Sequence, residues 1–432
     1  MSPALWGCIV LAMLLGMVAL RIPIALALMG AGFIGYAGLD GVSRALLVVG
    51  AIPGEMIRGY SFSVVPLFVL MGTVAAAAGM SRELYDAAPS HARPTARGSL
   101  ATATIGACAL FGAICGSSIA TAATMTRVSI PQMRRARYAD SFAAGSVAAG
   151  GTLGILIPPS VVLVIYALLA EESVPALFAA AFIPGALLTL FAIVVAKVVA
   201  ARPGIAPPVE DPARPPHRAL LATWKLGLVF ALSIGGIYMG WFSPTEGAAV
   251  GAFATIAIAL ATRTITAPAL WQAIREAVLT SATLFFVFLG ALMFARFIAL
   301  TRLPNTLVEI VAAAGLPALA VIAIIVLAYI VLGCILETVS MILITVPVFL
   351  PLIVSLGYDP IWFGILVVVV AEMGLITPPI GMNIFVIRSQ LPDIALGTIF
   401  VGVAPFLLAH LALIAVLIAM PAITTVLPRL LL

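Results

Sequence analysis

Two acidic residues, Glu337 and Glu372, stand inside long apolar stretches, and two proline pairs, Pro158-Pro159 and Pro378-Pro379, interrupt others. A carboxyl at membrane depth is costly and is normally retained to bind a cation or exchange a proton. Proline removes a backbone N–H and disfavours helix in the residue before it, so each pair breaks a helix. Carbonyls freed at such a break cannot face lipid, but they can coordinate Na⁺, while half-helix N-termini favour an anionic group. Gly116-Ser117-Ser118 adds two hydroxyls, and Thr377 and Asn383 add a hydroxyl and an amide beside the second break. Each has an ordinary alternative. Ser and Gly let membrane helices pack closely, Asn383 can bridge loose backbone groups, Glu337 can face an aqueous vestibule, and Glu372 can serve as a structural hydrogen-bond partner.

The elements that must hold these groups are set by hydropathy. Charged residues make up only 9% of the 432 residues and hydrophobic residues 64%, with a mean hydropathy of +1.26; a soluble domain carries about 25% charged residues. The expected fold is an all-α polytopic membrane protein. Spans are expected at 4–20, 22–38, 62–80, 139–170, 175–201, 225–241, 246–263, 278–300, 361–390 and 397–428, with an interfacial helix at 44–58. The first apolar run lacks a charged leader and an A-x-A-like site and is expected to be retained as a helix. Cys8, Cys108, Cys115 and Cys334 have no CxxC spacing and read as packing residues. His91, His217 and His410 form no metal set, and no phosphate-binding or nucleophile motif is present.

Charge decides how two remaining blocks run. Block 99–126 has Arg82, Arg93 and Arg97 before it and Arg127, Arg134, Arg135 and Arg137 after it. A re-entrant hairpin keeps both clusters cytoplasmic, as the positive-inside rule requires, and FGAICGSSIAT supplies its turn. Block 316–356 is expected to be a second hairpin, turning near Gly333 to Thr338 and entering from the outside. Of the 21 Lys and Arg, only Arg44, Arg58, Arg296, Arg302 and Arg429 then fall outside. The organisation expected is 1–60 scaffold with interfacial helix, 61–201 first repeat, 202–224 cytoplasmic linker, 225–277 scaffold, and 278–432 second repeat. Ser243, Pro244 and Glu246 read as a capping box.

The halves match in register. GTLGILIPPS (151–160) pairs with EMGLITPPIG (372–381), Ser117-Ser118 with Glu337-Thr338, and Tyr138 with Tyr358. Ser117 to Pro158 and Glu337 to Pro378 are both 41 residues apart. Upstream, LFVLMG (67–72) resembles FFVFLG (285–290). Repeats entering from opposite faces, each with a hairpin and a discontinuous helix, point to a secondary transporter with a midplane site.

PLFVLMGTVAAAAGMSREL, FGAICGSSIATAATMTRVSIPQM, GTLGILIPPS, FSPTEGAAVGA and TPPIGMNIFV resemble, in order and over nearly the whole chain, the large membrane subunit of TRAP (tripartite ATP-independent periplasmic) transporters. The resemblance implies an ion-transporter-superfamily fold with a scaffold and a moving elevator domain in the bacterial inner membrane. It implies Na⁺-coupled uptake of organic acids such as C4-dicarboxylates or sialic acids, with no other metal or cofactor. A periplasmic substrate-binding protein and a separate small four-helix membrane subunit are the implied partners. One implied Na⁺ site comprises Ser117, Ser118, Gly154, Ile157 and Pro159; the other comprises Gly333, Gly374, Thr377 and Ile380. The implied substrate contacts are Ser117, Ser118, Thr152, Glu337, Thr338 and Asn383. This chain has Glu337-Thr338 where the family pattern has Asp-Pro. Alternatives are a stand-alone carboxylate or oxyanion transporter of the same superfamily, a passive channel, and an intramembrane enzyme; the last lacks a metal set or a Ser–His or Ser–Lys pair.

Overall fold

The computed structural model describes residues 2–87, 97–207 and 216–432, with backbone only over 86–87 and 216–222. Arg93, His91, Arg214 with the rest of 208–215 in the expected linker, and the side chains of His217 and Arg218 lie outside the described residues. The described residues form helices joined by short turns, with no strand among them. Six helices are long and apolar enough to cross a membrane, and a seventh span is the bent pair Asp140–Leu156 and Val161–Ala170. Pro3–Ala19 and Ile24–Asp40 are helices of 17 residues, about 25 Å long at 1.5 Å per residue. Phe253, Trp271, Val401 and Leu408 expose large apolar side chains, which suits contact with lipid rather than water.

Both expected hairpins form. The first has arms Ser99–Cys115 and Ser118–Arg135 about a turn at Gly116-Ser117; its second arm runs nine residues past the expected end at 126. The second has arms Ala318–Gly333 and Thr338–Ser355. Each is followed by a broken helix. The first bends 42° between Asp140–Leu156 and Val161–Ala170; the second consists of Pro360–Gly374 and Met382–Gln390 with 375–381 non-helical between them. Both Pro-Pro peptide bonds are cis.

Several boundaries differ from expectation for identifiable reasons. The segment 397–428 is two helices, Leu396–Ala419 and Ala422–Leu431, because Met420, just before Pro421, leaves helical geometry at φ −134° and ψ 69°. The expected span 278–300 is the C-terminal part of a 35-residue helix, Ala267–Thr301. Its first turns carry Gln272, Arg275 and Glu276, polar yet good helix formers, and Thr266 caps it by accepting from the Ala269 N–H. Leu303–Ala314 is a helix that hydropathy did not single out. A helix starting at Pro216 occupies the end of the expected linker 202–224. The interfacial segment 44–58 is the helix Val42–Arg58. The capping box forms as expected: Ser243 Oγ accepts from the Glu246 N–H at 3.3 Å, and the Ser243 N–H donates to Glu246 Oε2 at 2.8 Å.

Helices in lipid gain little from hydrophobicity against one another, so close approach through small residues carries the packing. The first broken helix crosses Leu396–Ala419 in this way: a Cβ on Gly402 would lie 1.8 Å from the Ser141 carbonyl oxygen, and one on Gly145 would lie 2.2 Å from that of Gly402. Phe142 stacks on Phe406 at the same crossing. On the polar end, Arg134 donates through Nε to Asp140 at 2.7 Å and through a second nitrogen to Asp393, tying the first hairpin to the loop after the second broken helix. That guanidinium holds the Asp393 carboxyl below its usual range. Gly402→Ala is expected to cost about 1–3 kcal/mol through overpacking, read as a lowered melting temperature in detergent. An unchanged melting temperature would show that the crossing has slack.

Candidate functional site

The two hairpin tips face each other. At the first, Gly116 adopts φ +61° and Ser117 is extended, and the Ser117 hydroxyl caps the second arm by accepting from the Ala120 N–H at 3.3 Å. A Cβ on Gly116 would sit 3.1 Å from the Pro159 carbonyl oxygen, so the tip lies directly on the first break. At the second, Glu337 is the residue before the arm Thr338–Ser355, and its side chain makes no capping bond. Exposed, it opens onto a cavity of about 740 Å³.

In each half the first hairpin arm meets the helix before the break, glycine on glycine. A Cβ on Gly112 would lie 2.2 Å from the Gly154 Cα, and one on Gly374 would lie 2.5 Å from the Gly333 carbonyl carbon. Only backbone against backbone fits there. A Cβ built on Gly154 would fall 3.3 Å from the Ser117 carbonyl oxygen and 2.8 Å from Thr121 Oγ1, a buried hydroxyl with no hydrogen-bond partner. Ser117, Thr121 and Gly154 thus converge, with Pro159 beside the tip. Ile157 directs its side chain against Gly185 and leaves its backbone at the break.

Around the second break, Gly333 and Gly374 touch through backbone, and Thr377 donates to the Met373 carbonyl at 2.6 Å. A Cβ on Gly381 would lie 3.4 Å from the Thr377 carbonyl oxygen, and Ile380 is half-buried in the same loop. Both breaks therefore offer hydroxyl and carbonyl oxygens, the hard donors that suit an alkali cation.

The cavity is bounded by the two tips, by Val64–Ala77 and by the long helix Ala267–Thr301. Ser117, Ser118, Glu337 and Thr338 line it. Asn383 does not; fully buried, it donates through Nδ2 to Ser118 Oγ at 2.8 Å. Thr152 is also elsewhere: it lies 3.1 Å from His410 Nε2 and donates to the Ala149 carbonyl, joining the first broken helix to Leu396–Ala419.

Six polar side chains outside the expected site also line the cavity: Thr73, Thr124, Arg127, Gln272, Glu276 and Thr280. Arg127 stands in the basic flank after the expected hairpin end at 126, and Glu276 before the expected span 278–300. Extending those helices brings both into the site. Arg127 is exposed toward the cavity and in none of the ion pairs among the described residues. An unpaired guanidinium presents a planar fork that matches a carboxylate.

The family model for the DctM component of the tripartite ATP-independent periplasmic transporters matches residues 11–423. The C4-dicarboxylate TRAP transporter large permease protein DctM of Pseudomonas aeruginosa is 36% identical over 383 residues, covering 87% of this chain and 88% of that protein. The sialic acid TRAP transporter large permease protein SiaM of Vibrio cholerae is 32% identical over 375 residues, covering 87% of each. The isethionate TRAP transporter permease protein DctMQ of Oleidesulfovibrio alaskensis is 30% identical over 98% of this chain, which spans 65% of that longer protein. Among solved structures, the Alcanivorax borkumensis YdaH transporter covers 98% of the chain with a TM-score of 0.63 at 14% identity, a likeness of fold.

Gly374→Ala should force the second hairpin off its broken helix. Na⁺-induced protection of the purified protein against heat is expected to fall at least about tenfold in apparent Na⁺ affinity. Undiminished protection would separate the glycine crossing from ion binding.

Proposed function

The chain belongs to the DctM component family of the tripartite ATP-independent periplasmic transporters, and on that premise we propose that it carries an organic acid inward with Na⁺ by an elevator motion. Uptake of carboxylates by a multi-pass membrane permease, without enzymatic chemistry, follows from the family. Na⁺ coupling, inverted repeats and the moving domain are the finer reading. So are receipt of substrate from a periplasmic binding protein, assembly with a small membrane subunit, and placement in the bacterial inner membrane. One matched relative carries a DctMQ name over a longer chain, which supports a small subunit as partner and shows that the two can share one chain.

The observation that carries the reading is the cavity itself. Its floor is two hairpin tips from different halves of the chain, and its wall is an unpaired arginine on the first hairpin. An organic anion seated there would meet Arg127 with its carboxylate and the backbone of the two tips with its polar groups, since the hydroxyls of Ser117, Ser118 and Thr338 are engaged elsewhere. Cations in the two breaks would offset the negative charge and fix the tip backbones that line the cavity. Substrate and ion binding then assist each other by sharing the same ordered tips. Gln272, Glu276 and Thr280 lie across the cavity on the helix Ala267–Thr301, which runs from the expected scaffold segment 225–277 into the segment expected as second repeat, and movement of the hairpins past that helix would change which face the cavity opens to.

Proteoliposomes holding this chain, its small subunit and its binding protein provide the test, with radiolabelled succinate, isethionate and N-acetylneuraminate as probes. Uptake of at least one acid is expected to need an inward Na⁺ gradient and the binding protein. Uptake without either would overturn the reading. Arg127→Ala should lower uptake at least about tenfold, the scale of a lost charge-assisted hydrogen bond, with partial recovery in Arg127→Lys. Wild-type rates in Arg127→Ala would remove that residue from the site.

A further inference from the structure

Glu372 sits behind the cavity wall, fully buried, in the helix that precedes the second break. Its Oε1 accepts a hydrogen bond from the Thr338 hydroxyl at 3.0 Å, from the second hairpin tip. The Ser118 hydroxyl, from the first tip, also interacts with this carboxyl. Ser118 Oγ in turn accepts from Asn383 Nδ2, from the helix after the break. One carboxyl is therefore linked to both tips and, through Ser118, to the far side of its own broken helix.

Hydroxyls that donate to a carboxylate favour its charged form. Yet none of the five ion pairs among the described residues includes Glu372, and the charged neighbour that acts on it is Glu337, of the same sign. Two oxygens of this cluster are buried without any partner: Glu372 Oε2 and Asn383 Oδ1. Neither can donate to the other as a carboxylate and an amide oxygen. An uncompensated buried carboxylate is strongly unfavourable, and open acceptors on a hydrogen-bonded frame are what a hard cation requires. A single carboxylate balances a single positive charge. No group of three or more His, Cys, Asp or Glu capable of holding a metal occurs among the described residues, which fits a monovalent rather than a transition-metal ligand.

We propose that Glu372, Asn383, Ser118 and Thr338 form a third cation site, for Na⁺ or an ion of its class, separate from the two sites at the hairpin–helix glycine crossings. It rests on the reading of the chain as a Na⁺-coupled carrier. Unlike those two sites, each built within one half, this one takes groups from both tips. Its cation joins the halves, so it is held only while the tips are together around the cavity.

Radioactive-sodium binding to the purified chain in detergent tests this directly. The unmodified protein is expected to bind more than two Na⁺, and Glu372→Gln, which keeps the shape and the Thr338 bond but removes the charge, is expected to bind one fewer. In parallel, the Na⁺ concentration that half-maximally raises the melting temperature should increase at least about tenfold in Glu372→Gln, with choline as the control cation. If the variant fails to fold, the stoichiometry of the unmodified protein still decides: two Na⁺ or fewer overturns the third site. Binding and Na⁺ stabilisation unchanged in a folded Glu372→Gln would also overturn it. Absence of all Na⁺ binding by the unmodified protein would instead remove the Na⁺-coupled reading on which the site rests.

Discussion

Backbone polar groups cannot go unpaired against lipid, and this protein breaks two of its apolar helices at proline pairs. The structure reconciles the two by packing the first arm of each hairpin against the helix before the break of its own half, and by setting the first tip directly on the first break. Contact is so close that only glycine fits at the crossings, Gly112 on Gly154 and Gly374 on Gly333. Everything else in the site follows from that approach. The hairpin arms can reach the helices before the breaks only because no side chain stands between, and the backbone of the first tip then lies against the Pro159 carbonyl.

With the backbone settled, side chains are free to define the cavity. Ser117 spends its hydroxyl on capping its own helix, so its contribution to a cation is the carbonyl. Ser118 points the other way, into the buried link with Asn383. Arg127, midway along the second arm of the first hairpin, and Glu337, at the second tip, both face the open space. One short motif therefore splits its adjacent serines between two tasks, and the tie from Ser118 through Glu372 to Thr338 adds a buried polar link between halves that also meet at the Gly145–Gly402 crossing and through Arg134.

The breaks and tips were legible because their signals are local: proline pairs, a Gly-Ser turn, and a constant 41-residue spacing between them. Arg127 and Glu276 were not, although both residues were in plain sight. Hydropathy ends a membrane helix at its first charge, and these helices continue through theirs, as the second hairpin arm to Arg135 and the long helix from Ala267 demonstrate. Gly112 resembled any packing glycine until its partner at Gly154 was known. The Asn383–Ser118 bond spans 265 residues of chain, and Thr152 turned out to serve His410; neither pairing has a sequence signature. Pro421 was visible but was read as part of one long span, and its effect on Met420 divides that span in two.

Elevator transport, as proposed for this chain, requires the hairpins and broken helices to move together past the helix Ala267–Thr301 and so expose the cavity alternately. Spin labels at Thr124 on the first hairpin and Thr280 on that helix, in a chain with its four cysteines replaced, report the separation across the cavity by electron–electron resonance. The account predicts two distance populations in lipid, whose ratio shifts when Na⁺ replaces choline. A single distance, the same with and without Na⁺, would contradict it.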